Sequence, residues 1–149
     1  TLNPGKNAIE IVGNEVVKIN DIPFEDIKFK VTDYVIESGS NSNGNYIKYA
    51  DGTMICTREI NLNSINIQTA WGSIYQYMNT TFYNYAQEFI KSPTLQLTAK
   101  ATSDAGFWLG DYGNNSTQTK SGFSGICLLR PTKNIVNAVI FVTAIGKWK

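Results

Sequence analysis

Recognition chemistry that needs neither acid, base nor metal starts from Trp108-Leu109-Gly110-Asp111-Tyr112-Gly113-Asn114-Asn115. The indole and phenol rings offer flat apolar faces, and the carboxylate and amides offer planar hydrogen-bonding groups. Saccharides need both, the first for their C–H faces and the second for their hydroxyls. Loops carry such groups more often than core strands do. Trp108, Asp111, Tyr112, Asn114 and Asn115 are therefore the candidate ligand contacts. The competing reading packs Trp108 into a core and leaves the rest as a polar turn. A second aromatic reservoir holds Trp71, Tyr75, Tyr77, Phe82, Tyr83, Tyr85 and Phe89. It is expected to pack in the core or between subunits. Tyr75, Tyr77 and Tyr83 are its ligand candidates if it forms a surface.

Other chemistries fall away by composition. The chain has no histidine, which removes Ser–His–Asp and Cys–His catalysis and imidazole-dependent metal sites. Cys56 and Cys127 are too few for an all-cysteine zinc site and too far apart for a redox motif. They read as buried thiols, or as a disulfide in an oxidising compartment. Glycoside hydrolysis needs two carboxylates across a cleft. Glu37, Asp51, Glu59, Glu88, Asp104 and Asp111 form no local pair, and Asp51 suits a turn. Asp104, Asp111 and Asn114 are oxygen donors of the kind calcium uses, at a spacing unlike an EF-hand loop. A net charge of +1 gives no basic excess for nucleic acid. The expectation is a binding module, not an enzyme, with no cofactor and no nucleic-acid partner.

The elements that must position these groups are strands. The 149 residues are 42% hydrophobic and 17% charged, which suits a globular chain of one domain plus a short segment. No run of about 18 apolar residues marks a membrane helix, so no membrane insertion is expected. Thr1-Leu2-Asn3-Pro4-Gly5-Lys6 is not a signal peptide, and without an initiator Met the chain reads as a piece of a longer or processed protein. Sequons at Asn79, Asn114 and Asn115 matter only in a glycosylating pathway.

Two short runs, Ala8–Val12 and Glu15–Ile19, flank Gly13-Asn14 as a hairpin, and Ile22–Lys30 reads as a connector. Asp33–Glu37 is strand-like, and Ser38–Asn45 reads as a loop and not an element. Asp51-Gly52 is a hairpin turn between Tyr46–Tyr49 and Thr53–Thr57. Trp71–Phe89 reads as a wide aromatic loop ending in a short turn. Thr94–Lys100, Gly106–Leu109 and Gly122–Leu129 are further strands, and the apolar run Ala138–Gly146 is expected to be a central one. The sum is an all-β chain: an antiparallel β-sandwich of about six strands over 33–149, preceded by a hairpin and linker segment over 1–32.

Three stretches then carry a resemblance. Asp33-Tyr34-Val35-Ile36-Glu37-Ser38-Gly39, the hairpin Gly44–Cys56, and the ending Ala144-Ile145-Gly146-Lys147-Trp148-Lys149 are similar, in this order, to the C-terminal receptor-binding domain of bacteriophage tail and baseplate proteins. Leu2–Ile11 looks like the last strand of a preceding tail domain. The resemblance implies a homotrimer on the virion, at the phage tail tip. It would be made in the bacterial cytoplasm, contact other tail or baseplate proteins, and bind a bacterial surface polysaccharide or teichoic acid. The alternative is a structural tail component that makes protein contacts only. A fainter resemblance, through Lys91-Ser92-Pro93-Thr94, Gly122-Phe123 and Cys127, is to H-type lectins. Where that family places an aromatic and a polar residue against sugar, this chain has Arg130-Pro131, which implies Arg130 as a donor to hydroxyls. On this reading Trp108→Ala and Arg130→Ala both lower binding to host cell walls while leaving the melting temperature unchanged.

Overall fold

A computed structural model describes residues 9–12, 15–19, 22–23, 34–103, 106–110 and 116–149. The chain divides into two compact units, Thr1–Thr32 and Asp33–Lys149. In the first, β1 (Ile9–Val12), β2 (Glu15–Ile19) and β3 (Ile22–Pro23) form an antiparallel sheet in that order. Val12 pairs with Glu15, so the two arms of the expected hairpin are present. Its turn residues Gly13 and Asn14 lie outside the described residues. The stretch expected as a connector begins instead with a strand, since Ile22 and Pro23 pair with Ile19 and Lys18. Proline fits there because an outer strand need not donate on both sides.

The second unit contains β4 (Val35–Asn41), β5 (Gly44–Tyr49), β6 (Thr53–Ile67), β7 (Thr69–Trp71), β8 (Ile74–Asn79), β9 (Tyr83–Asn84), β10 (Thr94–Ala101), β11 (Trp108–Gly110), β12 (Thr117–Gln118), β13 (Gly122–Ser124), β14 (Ile126–Arg130) and β15 (Asn134–Lys147). Three sheets result, in the orders β10-β15-β6-β5-β4, β11-β14-β8-β7 and β12-β13-β9. No helix occurs among the described residues, and the unit is an all-β sandwich with more short strands than the sequence separates.

Two expectations are corrected. Ser38–Asn45 is not a loop: β4 runs through Asn41, turns at Ser42-Asn43 and returns as β5. Its small polar residues suit an exposed edge strand, and Gly39 has a packing reason. A Cβ there would lie 2.9 Å from the Tyr46 ring. Trp71–Phe89 is not one wide loop either, since β8 pairs with β14 over five residues, from Asn79 with Ile126 to Tyr75 with Arg130.

The core hangs on β6 and β15, which pair antiparallel from Thr53 with Lys147 to Ile67 with Asn134. As expected for Ala138–Gly146, β15 is central, between β10 and β6. Alternation puts Val136, Ala138, Ile140, Val142 and Ala144 on one buried face. On β6 the buried residues are Met54, Cys56, Ile60 and Leu62, all even, and then Ile65 and Ile67, both odd. The parity changes at a β-bulge, where Leu62 and Ile65 on β6 oppose Ala138 and Val136 on β15. Asn63 and Ser64 there lie opposite the single residue Asn137. Ser64 takes φ 53°, and its N–H donates to Asn137 Oδ1 at 2.7 Å. Without the inserted residue, Ile65 and Ile67 would face outward.

One corner is tied by polar contacts. Trp148 donates its indole N–H to Tyr49 O and its main-chain N–H to Gly52 O, both at 3.0 Å. Lys147 Nζ reaches Asp51 O at 3.2 Å and Thr53 Oγ1 at 3.1 Å. Lys48 Nζ bonds Glu37 at 2.8 Å and lies 5.6 Å from the Trp148 ring centroid. The Glu37 carboxyl is held below its ordinary pKa by hydrogen bonds from Lys48 and Tyr46.

Within the core, Tyr85 stacks on Phe123 at 6.0 Å and meets Phe89 edge-on at 5.3 Å. The Tyr85 hydroxyl is buried and makes no hydrogen bond. Burial pushes its pKa up to about 12, with the neighbouring Cys56 thiol adding to the shift.

Two outcomes follow from this architecture. L-residues pay roughly 1–2 kcal/mol for a left-handed backbone, and β-branched ones pay more. Ser64→Gly should leave stability unchanged or raise it by up to about 1 kcal/mol, Ser64→Val should lower it by ~1–2 kcal/mol, and deleting Ser64 should abolish folding. Urea denaturation midpoints check all three. The raised Tyr85 pKa contributes stability that is complete below the unfolded phenol value, near 10. It is lost as pH rises through about 12. Tyr85→Phe removes an unsatisfied buried hydroxyl, so it should stabilise the domain by about 1 kcal/mol. It should also flatten this alkaline loss in melts followed between pH 9 and 12.

Candidate functional site

The four-stranded sheet β11-β14-β8-β7 has one face in the sandwich and one outside. Ile126 and Leu128 of β14 belong to the core, so their strand neighbours Cys127 and Leu129 point to the opposite, outward face. Cross-strand pairing extends that face in rows. Trp108 pairs with Leu129, Leu129 with Gln76, and Gln76 with Thr69. Gly110 pairs with Cys127 and Cys127 with Met78, while Ile74 pairs with Trp71.

The result is a platform with aromatic rims. Trp108 on β11 is 45% exposed, Trp71 on β7 55% and Met78 38%. Leu129 and Gln76 form a nearly buried floor between them. The two tryptophans stand on opposite edge strands, separated by three strand spacings of about 4.8 Å, or roughly 14 Å across the sheet. Gln76 places its amide at the centre of this floor and is 9% exposed. The floor stays flat at Gly110 because a Cβ there would lie 2.5 Å from Leu129 Cδ1.

The residues singled out from sequence are not brought together on this face. Trp108 is on it. Asp111, Tyr112, Asn114 and Asn115 lie outside the described residues, as does Asp104. Arg130 follows Leu129 in β14 and therefore points the other way, between the sheets, beside Tyr75. It is 9% exposed. Tyr75, Tyr77 and Tyr83 are half-buried and pack on the core, so they spend their rings on packing. Cys56 and Cys127 are buried thiols on β6 and β14. Among the described residues no group of three or more histidine, cysteine, aspartate or glutamate side chains is arranged to hold a metal, and no helix is long and apolar enough to cross a membrane.

Sequence reasoning missed Trp71, Gln76 and Met78 as partners of Trp108. The signal that could have found them is the alternation Ile74, Gln76, Met78 against Tyr75, Tyr77, Asn79. It is hard to see because both faces carry large side chains. A groove of about 430 Å³ lies on the outer side of the five-stranded sheet, lined by Asn45, Thr57, Arg58, Glu59, Phe141 and Thr143 among others. It offers one ring, and its guanidinium is engaged by Asn84 O at 3.2 Å and by the Tyr83 ring. The platform is the better match to a ligand that needs flat faces.

No family model matches the chain, and no curated protein matches it. Among solved structures, it is similar to the P. aeruginosa R1 pyocin fibre comprising C-terminal residues 323–701, with a TM-score of 0.47 and 12% sequence identity. The likeness covers 74% of this chain and 28% of that one.

Proposed function

We propose that this chain is a host-recognition domain of a phage tail, which binds a bacterial surface saccharide without covalent chemistry. The observation that carries the saccharide is the placement of Trp71 and Trp108 on one flat outward face, with the Gln76 amide between them. Sugar rings lie on such surfaces through their C–H faces, and an amide both donates to and accepts from hydroxyls. The tail assignment rests on the three stretches that resemble phage receptor-binding domains. They form one physical unit, since Val35–Gly39 pairs with β5, and Ala144–Lys147 pairs with the β6 half of the Asp51-Gly52 hairpin. Trp148 then closes over that hairpin. The pattern therefore specifies one corner of the fold and not three separate coincidences. In this reading the domain works as a homotrimer on the virion, with weak binding at each site and avidity from repeated copies.

The test is binding of the purified chain to host cell walls and to a glycan array. Trp71→Ala and Trp108→Ala should each weaken wall binding about tenfold, in line with the ~1–3 kcal/mol of a well-placed aromatic contact, with no change in melting temperature. Phe141→Ala, in the groove on the other sheet, should bind as the unaltered chain does. Unchanged binding in both tryptophan variants sinks the platform assignment. Absence of wall binding, together with stable association of the unaltered chain with another tail protein through this face, replaces the receptor reading by a structural one.

A further inference from the structure

At the end of the sandwich where β14 passes into β15, a cation is buried with no anion paired to it among the described residues. Arg130 is 9% exposed, and its Nε and Nη1 atoms are buried with no hydrogen-bond partner. Nη2 reaches only Thr132 Oγ1, at 3.5 Å, beyond the usual range of such bonds. A guanidinium in a protein stays protonated, and a buried charge with nothing opposite it is costly. The ion-paired carboxylates of the described second unit are committed elsewhere: Glu37 to Lys48, Glu88 to Lys120 and Asp51 to Lys147. Glu59 lines the groove on the far sheet. A second cation stands at the same end. Lys133 Nζ lies 5.4 Å from the ring centroid of Tyr75, the cross-strand neighbour of Arg130. Thr132 and Lys133 are both exposed.

We propose that this end of the sandwich is an oxyanion site that takes a phosphate group, held by the Arg130 guanidinium, Lys133 Nζ and the Thr132 hydroxyl. Two cations with no carboxylate between them among the described residues suit a doubly charged group, and the Thr132 hydroxyl can donate to a third oxygen. The site faces away from the tryptophan platform and stands independently of the saccharide reading. Its phosphate is either a free ion or one carried on a sugar.

The experiment is thermal denaturation and isothermal titration with inorganic phosphate at fixed ionic strength, with chloride as the control. Phosphate should raise the melting temperature of the unaltered chain and bind once per chain. Lys133→Gln should weaken binding about tenfold. Arg130→Met should melt at or above the unaltered chain when phosphate is absent, because it removes an unpaired buried charge, and it should lose the response to phosphate. Trp71→Ala and Trp108→Ala should keep that response, which separates this site from the platform. Protection by glucose 6-phosphate equal to that by phosphate identifies a sugar-borne group, and protection by phosphate alone identifies the free ion. The proposal is overturned if phosphate has no effect on the unaltered chain, or if its effect survives in both Arg130→Met and Lys133→Gln. Should Arg130→Met not fold, Lys133→Gln and Arg130→Lys carry the same test, with full phosphate protection in both as the overturning result.

Discussion

The ladder between β6 and β15 sets the terms for everything else in the sandwich. It is the longest pairing in the second unit, and both strands contribute alternate side chains to the same buried face. Each Val, Leu, Ile or Met side chain fully removed from water there contributes on the order of 1.5–3 kcal/mol. A strand has a strict period of two, so a single register error would exchange the core face for the solvent face along its length. Within this ladder the bulge at Ser64 relaxes that constraint. It lets a strand of 15 residues bury even-numbered positions in its first part and odd-numbered positions in its last.

With the core fixed in this way, the two outer faces are free to differ. The outward side of the four-stranded sheet gathers tryptophans at its edges and sets Leu129, Gln76 and Met78 between them. The outward side of the five-stranded sheet sets threonines, an asparagine, charged side chains and a single ring, Phe141, around a groove. The platform uses residues separated by several dozen positions in the chain, yet it needs no loop to hold them. Three adjacent strand pairings set Trp71, Gln76, Leu129 and Trp108 in place. A site built on hydrogen-bonded strands keeps its spacing better than one carried on a loop tip.

What was legible in the sequence follows from which signals are local. The all-β class, the central apolar strand at Ala138–Gly146 and the Asp51-Gly52 turn are local patterns, and each is present in the structure. Ser38–Asn45 was opaque because glycine, serine and asparagine read as a loop whether or not a neighbouring strand hydrogen-bonds to them. β8 was opaque for the opposite reason, since tyrosines on its inner face and methionine on its outer face hide the alternation. Trp108 could be picked out as a ring beside polar residues. Its partners could not, because they become neighbours only through pairings of β14 with both β8 and β11. Arg130 was visible as a donor, but its direction depends on strand parity, and parity turns it between the sheets and away from Trp108.

The same ladder that organises the core also governs how the domain is reached from the unfolded chain. Lys147 and Thr53 meet across 94 positions, so the central strand must find a partner far away along the chain before its inner face is covered. Closing so long a loop costs entropy before any burial offsets it, and folds dominated by such non-local pairings form in milliseconds to seconds, not microseconds. Until that pairing forms, the β-branched run of β15 is an unpaired apolar strand of the kind that pairs with other chains at high concentration.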